Sequence, residues 1–350
     1  MVRALSVGQA VVFYAAVAVS YAHRDDYIAM QFHSIDFDWL HSVYAMDGRM
    51  LLGLLNGLFF DHTTTVESLT SIRLAGLVGG MLLSLTLLGI LRQARLGDGA
   101  SLVGAMAGGL TLASVVYVGW TICFALYFAP ILNLAAGILF GKVIHGNARQ
   151  LTGITLLAGL LFVAGTLIYQ GTTPMFLVPA FFSLLQEERT KGAVLRMGLF
   201  LRAFALYSVA YLVVFKGYSA LLFEVNPRAG RVLSEIDLPA IPGNLRRLSV
   251  MTLNRNVATP SVLVPCLAAA GIISFLLFQG RGLVHRLLLL LGLLTVILAG
   301  FTPSLSSSNQ MSDFRTFIAS QVVALTTAGI GWHCLLQWIL ARLRVPCRLT

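Results

Sequence analysis

Residues 72–91, IRLAGLVGGMLLSLTLLGIL, carry a single charge, Arg73, and it stands in the first turn. A helix needs about 20 apolar residues to cross the hydrocarbon core of a bilayer. This run is long enough. Working outward in both directions, nine more runs read the same way: 5–22, 101–118, 120–141, 151–168, 174–186, 197–216, 261–278, 287–302 and 317–340. The run 174–186 is short and holds Pro174 and Pro179, which predicts a broken or re-entrant segment. The composition agrees: 57% hydrophobic and 11% charged over 350 residues, with a mean hydropathy of +0.84. Soluble domains carry about 25% charged residues. These values exclude a soluble domain. They predict an all-α polytopic membrane protein of about ten transmembrane helices, one domain over 1–350, without internal repeat.

The net charge of +10 does not point to nucleic acid, because Lys and Arg are spread singly between the apolar runs. With the N-terminus inside, the inside pieces hold thirteen basic and three acidic residues, and the outside pieces ten basic and eleven acidic. Cytoplasmic loops carry the excess of Lys and Arg. The asymmetry predicts both termini in the cytoplasm, with two large outside loops at 23–71 and 217–260. Ser20-Tyr21-Ala22 has the look of a cleavage site, but a polytopic chain is expected to keep its first segment as an anchor. The cysteines (Cys123, Cys266, Cys334, Cys347) form no CxxC pair, and three lie in apolar runs, so buried thiols are expected rather than disulfides or metal ligands.

Within the first outside loop, residues 23–61 gather six of the fourteen acidic residues: Asp25, Asp26, Asp36, Asp38, Asp47 and Asp61. Charge close to a bilayer is costly and usually has a use. Asp25 and Asp26 follow the first helix directly. Either is placed to act as a general base toward an acceptor hydroxyl, and the plain alternative is a solvated loop start. Trp39 suits the membrane interface. Asp47-Gly48-Arg49 opens the apolar LLGLLNGLFF; Arg49 is able to clamp a phosphate with its planar fork or to pair with Asp47, Asp25 or Asp26. Residues 48–60 are too short to span and read as a helix lying in the outer interface.

Tyr169-Gln170 end the fifth run on the outer side. Tyr169 fits the aromatic belt, while Gln170 offers donors and acceptors suited to a sugar hydroxyl. Outside arginines, among them Arg255 and Arg315, want an anionic partner such as a lipid phosphate. In the second outside loop, Leu245, Leu248 and Met251 recur with helical spacing beside Arg246 and Arg247, the pattern of a surface helix. His23, His33 and His41 share the first loop with several Asp but show no metal-site spacing, so no metal or other cofactor is expected, with a divalent ion left open.

DDY after the first helix, then Trp39, then Gly48-Arg49 before an apolar stretch, then Tyr169-Gln170 at an outer helix end: this order resembles the bacterial and phage serotype-converting glucosyltransferases that decorate O-antigen. More broadly it is similar to the GT-C class of polytopic glycosyltransferases. Met50 stands where the family often has proline after Gly-Arg. The resemblance implies a cavity facing the periplasm, in a bacterial inner membrane. It implies a polyprenyl-phosphate-linked sugar as donor, a glycan as acceptor and inversion at the anomeric carbon. By the same resemblance Asp25 or Asp26 is the base, Arg49, Arg255 and Arg315 meet the donor phosphate, and Trp39, Asp47, Tyr169 and Gln170 contact sugar or acceptor. Two alternatives share the topology: a transporter or flippase for a lipid-linked substrate, and an O-antigen polymerase or ligase. Transporters concentrate charge at the bilayer midplane. Here the charges crowd the outer edge, and only Arg202 is expected deep.

Overall fold

The computed structural model describes residues 1–18, 26, 29–31, 44–45, 48–61, 63, 65–145, 148–187, 190–223, 263–305 and 318–343. Among these residues there is no β-strand, and the protein is all-α, as its composition predicts. In chain order the helices are α1 (Val2–Ala18), α2 (Met50–Phe60), α3 (Leu69–Gln93), α4 (Asp98–Gly109), α5 (Leu112–Gly119), α6 (Phe128–His145), α7 (Ala148–Ile168), α8 (Val178–Ser183), α9 (Thr190–Phe223), α10 (Leu263–Gln279), α11 (Leu283–Leu305) and α12 (Ile318–Arg342). Two 3₁₀ segments, Thr121–Tyr127 and Gln170–Leu177, precede α6 and α8. Five described stretches are long and apolar enough to cross a bilayer: Leu69–Gln93, Thr121–Ile144, Thr190–Tyr218, Leu283–Gly300 and Ile318–Arg342. Val2–Phe13, Met50–Phe60, Thr152–Ile168 and Pro265–Gln279 are apolar but shorter.

The run 101–118 is not one helix. It stops at Gly109 and restarts at Leu112. Gly108 and Gly109 are weak helix formers, and a Cβ on Gly109 would sit 2.8 Å from Gln9 Nε2. Gln9, on α1, donates from that amide to Ser84 Oγ and to the Gly80 carbonyl at 3.3 Å. Thr111 starts the next helix: its Oγ1 accepts the Ser114 N–H at 3.2 Å, the bond an N-cap makes to the third helical residue.

The run 174–186 is broken, as its prolines predict. Pro174 lies in the 3₁₀ segment and Pro179 near the start of α8, where a missing N–H breaks no helix bond. Both 3₁₀ segments lie in the core. At about 2.0 Å per residue against 1.5 Å for an α-helix, they cover depth with fewer residues. They also match each other. Trp120 and Tyr169 both hold extended backbone (ψ 113° and 115°), each is followed by a polar residue and the 3₁₀ segment, and Pro130 and Pro179 each come ten positions later. This likeness is confined to one short stretch at each place. It is visible only in backbone conformation, since WTICFALYFAP and YQGTTPMFLVP share little else.

Charged residues sort to the two ends. At one end Arg92 bonds Asp98 at 3.0 Å and the Met1 sulfur at 3.1 Å, and Arg196 pairs with Glu187 at 2.9 Å. There too the Gln186 amide meets the Gln93 carbonyl, and Arg281 and His285 reach the carbonyls of Leu185 and Leu184. These are residues assigned to the inside by charge. At the other end lie Asp26, Gly48, Arg49, Ile122, Tyr169 and Gln170, linked by the contacts described below.

Arg202 lies on an exposed face of α9, and Arg73 is fully enclosed. Two expectations need correction. Of the thiols in apolar runs, Cys123 is buried and Cys334 half-buried, but Cys266 is on the exposed face of α10. Helix α9 continues to Phe223, because the apolar YSALLF extends it past Lys216, so the second large loop begins later than residue 217. The amphipathic stretch 245–251 and Cys347 lie outside the described residues.

Candidate functional site

Helix α2 is an eleven-residue strap. It buries Met50, Leu52, Gly53, Asn56, Gly57 and Phe60, and leaves Leu54, Leu58 and Phe59 exposed. Its N-terminal end reaches the Tyr169-Gln170 turn, and its middle reaches the Thr121–Ile122 turn. The strap therefore lies across the start of both 3₁₀ segments.

At the first contact, Gly48 sits in the left-handed region with φ +75°. A Cβ there would come within 2.6 Å of the Tyr211 hydroxyl and 2.8 Å of Gln170 Nε2, so both conformation and space require glycine. The Tyr211 hydroxyl donates to the Gly48 carbonyl at 3.3 Å and accepts from Gln170 Nε2 at 2.9 Å. Gln170 Oε1 in turn receives Arg49 Nε–H at 3.4 Å, and the guanidinium carbon lies 4.8 Å from the centroid of the Tyr169 ring. Phe215 stacks parallel to Tyr211 at 6.0 Å. The side of the guanidinium fork beyond Nε carries no hydrogen bond among the described residues. Arg49 is half-buried, so a delocalised cation is held over an aromatic face with donors to offer. Such an arrangement suits the oxygens of a phosphate or carboxylate.

At the second contact, the Ile122 N–H donates to Asp26 Oδ1 at 3.0 Å, and Asn56 Nδ2 donates to the Ile122 carbonyl at 3.0 Å. Asp26, Asn56, Thr121 and Arg73 are all fully enclosed. Arg49 and Asn56 are seven residues apart on the strap, about 10 Å along a helix.

Between the strap and the helices beneath it runs an apolar groove of about 340 Å³, lined by Leu51, Leu54 and Leu55 of α2, Phe128, Ile131 and Leu132 of α6, and Ile168 of α7. Leu51 and Ile168 are two and one positions from Arg49 and Tyr169. Arg49 and Tyr169 themselves are not among its lining residues.

Of the residues predicted from sequence, Arg49, Tyr169 and Gln170 come together, and Asp26 stands at the other contact of the strap. Asp25, Trp39, Asp47, Arg255 and Arg315 lie outside the described residues, as do His23, His33 and His41. Among the described residues no three His, Cys, Asp or Glu side chains gather as a metal site would need. Tyr211, Phe215 and Asn56 were not among the predicted site residues. Tyr207, Tyr211 and Phe215 recur every four residues, an aromatic stripe on one helix face, which marks the first two in retrospect. Asn56 had one signal, a lone amide in LLGLLNGLFF. Among known protein families, curated proteins and solved structures, none matches this chain.

Proposed function

We propose that the protein is a membrane glycosyltransferase that moves a sugar, a glucosyl unit in the first instance, from a polyprenyl-phosphate donor to a cell-surface glycan such as O-antigen. Its helices cross the inner membrane of a bacterium about ten times with both termini in the cytoplasm, and the strap end faces the periplasm. One observation carries this reading: Arg49 is held over Tyr169 and on Gln170 with the far side of its fork free of hydrogen bonds among the described residues, and the same strap lines an apolar groove with Leu51, Leu54 and Leu55. A lipid phosphate has the same two parts, an anionic head and a long apolar chain. The phosphate takes the free side of the Arg49 fork, and the chain lies along Leu51, Leu54 and Ile131.

The chemistry follows from that placement. A carboxylate of the Asp25–Asp26 pair takes the proton of the acceptor hydroxyl. The hydroxyl oxygen attacks the anomeric carbon from the side opposite the phosphate, and the bond to the phosphate oxygen breaks with inversion. The leaving polyprenyl phosphate gains negative charge, and a fixed guanidinium stabilises that charge most in the transition state. Gln170 and Tyr211 hold Arg49 in place and so limit its reorganisation.

The test is incubation of the purified protein in detergent with polyprenyl-phosphate sugars, following release of polyprenyl phosphate. Release that depends on acceptor supports the reading, and none with any sugar donor ends it.

One observation favours a second reading, a transporter or flippase for a lipid-linked substrate. The α4–α5 break lies midway along neighbouring α3, with the buried polar side chains of Gln9, Ser84 and Thr326 beside it, and interrupted helices line transport sites. Movement of an intact lipid-linked sugar across vesicles, without bond cleavage, would establish it.

A further inference from the structure

We infer that the break between α4 and α5 binds a sodium ion, held by oxygens of Gln9, Ser84 and Thr326 and by the last carbonyls of α4. The inference goes beyond the transfer reaction and does not depend on it.

Helix α4 ends at Gly109, about 16 Å along its axis from Asp98 at the charged end. That is near the middle of a bilayer core about 30 Å thick, where polar groups need a partner other than bulk water. The last four carbonyls of a helix have no partner within it. The Leu110 N–H donates to the Met106 carbonyl at 3.0 Å, and the carbonyls of Ala107, Gly108 and Gly109 lie beyond this last bond. They stand at the negative end of the helix dipole, which favours a cation.

Three neighbouring helices bring polar side chains to the same two glycines. A Cβ on Gly108 would collide with Thr326 Oγ1 of α12, and one on Gly109 with Ser84 Oγ of α3 and Gln9 Nε2 of α1. All three side chains are fully enclosed. The Gln9 amide donates to Ser84 Oγ and to the Gly80 carbonyl, while its Oε1 has no partner among the described residues. Thr326 Oγ1 has none there either. A helical threonine has a local partner within reach, the carbonyl four residues back. Thr86, Thr166, Thr295 and Thr327 each donate to that carbonyl at 2.7–2.8 Å. Thr326 makes no such bond and holds its hydroxyl against Gly108.

The chemistry of these groups selects the ligand. The oxygens are acceptors without formal charge, so they suit a hard cation rather than an anion. A divalent ion would stay doubly charged in a medium of low dielectric, which costs much more than one charge. Sodium is satisfied by fewer oxygens than the larger potassium ion, and the break supplies few. Helix C-terminal ends and unwound carbonyls coordinate sodium inside membranes in this way.

The experiment uses the purified full chain in detergent. The unfolding temperature is followed against sodium chloride, with choline chloride keeping the ionic strength constant, and radioactive sodium binding is measured by equilibrium dialysis. Sodium binds saturably to the wild type and raises its unfolding temperature as the logarithm of concentration, and potassium raises it less. Thr326→Val and Gln9→Leu keep bulk but remove an oxygen, and each weakens sodium binding by about tenfold or more. Thr326→Ser keeps the oxygen and keeps the binding. Should either deletion fail to fold, Ser84→Ala, a smaller change, carries the same test. The inference is overturned if the wild type binds no sodium saturably. It is overturned as well if sodium, potassium and choline stabilise the wild type equally, the result that a water molecule between these oxygens would give. Sodium binding unchanged in the folded deletion variants removes the site from the break.

Discussion

The Gly48 carbonyl accepts the hydroxyl of Tyr211, a residue 163 positions later, at 3.3 Å, and the same hydroxyl accepts from Gln170. This contact joins the start of the strap to α9 and sets where Arg49 begins.

Gly48→Ala meets two penalties. An L-residue in the left-handed region costs about 1–2 kcal/mol, and the new methyl would press on Tyr211 and Gln170. A lower unfolding temperature in detergent is expected, with a loss of transfer. An alanine variant as stable and active as the wild type would show that this turn does not set the site.

Tyr211→Phe keeps the ring on Phe215 but removes both hydroxyl bonds. A net loss of about 1 kcal/mol is expected. Combined with Gln170→Leu, the losses should fall short of additive, because the two side chains belong to one network. Additive losses in a double-mutant cycle would separate them.

Arg49→Lys keeps the charge but loses the planar fork. Turnover should fall, and fall further in Arg49→Ala. A simple surface ion pair at this position would be worth only about 0–1 kcal/mol, so near-normal turnover in the alanine variant moves phosphate binding to Arg255 or Arg315. Donor binding measured alongside turnover distinguishes weaker binding from slower chemistry.

Filling the groove tests the lipid chain. Ile131→Trp places a ring where the chain would lie. The KM for a long-chain donor should rise, while a short-chain donor should be used about as well as by the wild type. Equal effects on both donors would exclude the groove as the chain site.

Sidedness is checked by labelling. In a background without native cysteines, Ser34→Cys and Ser234→Cys should react with an impermeant maleimide in intact cells, and Ala148→Cys should not. Reaction only at position 148 would invert the topology and leave the acidic loop on the wrong side for the donor.

The all-α class was legible in the sequence because apolar length and low charge admit few other structures. The sorting of charge to two ends was legible for the same reason. The grouping of Arg49 with Tyr169 and Gln170 was legible only through their order along a resembling family. Nothing local links residues 121 positions apart. The α4–α5 break at Gly109 was missed because hydropathy does not register a helix that stops and restarts within an apolar run. The enclosure of Arg73 and the exposure of Arg202 were not legible, because sequence placed each only by its position along a segment. Enclosure depends on which face a helix turns to its neighbours, and one segment's pattern does not tell that when every face is apolar.

The long reach of these contacts bears on how the protein is made. The strap is too short to hold a place in the bilayer by its own length. Its anchors, Ile122, Gln170 and Tyr211, come off the ribosome well after it. Arg49 has both Gln170 and Tyr211 to hold it only once the chain has been synthesised beyond residue 211. A nascent chain halted before that point would have inserted several helices and still lack the assembled cation site, so this site forms late in biogenesis.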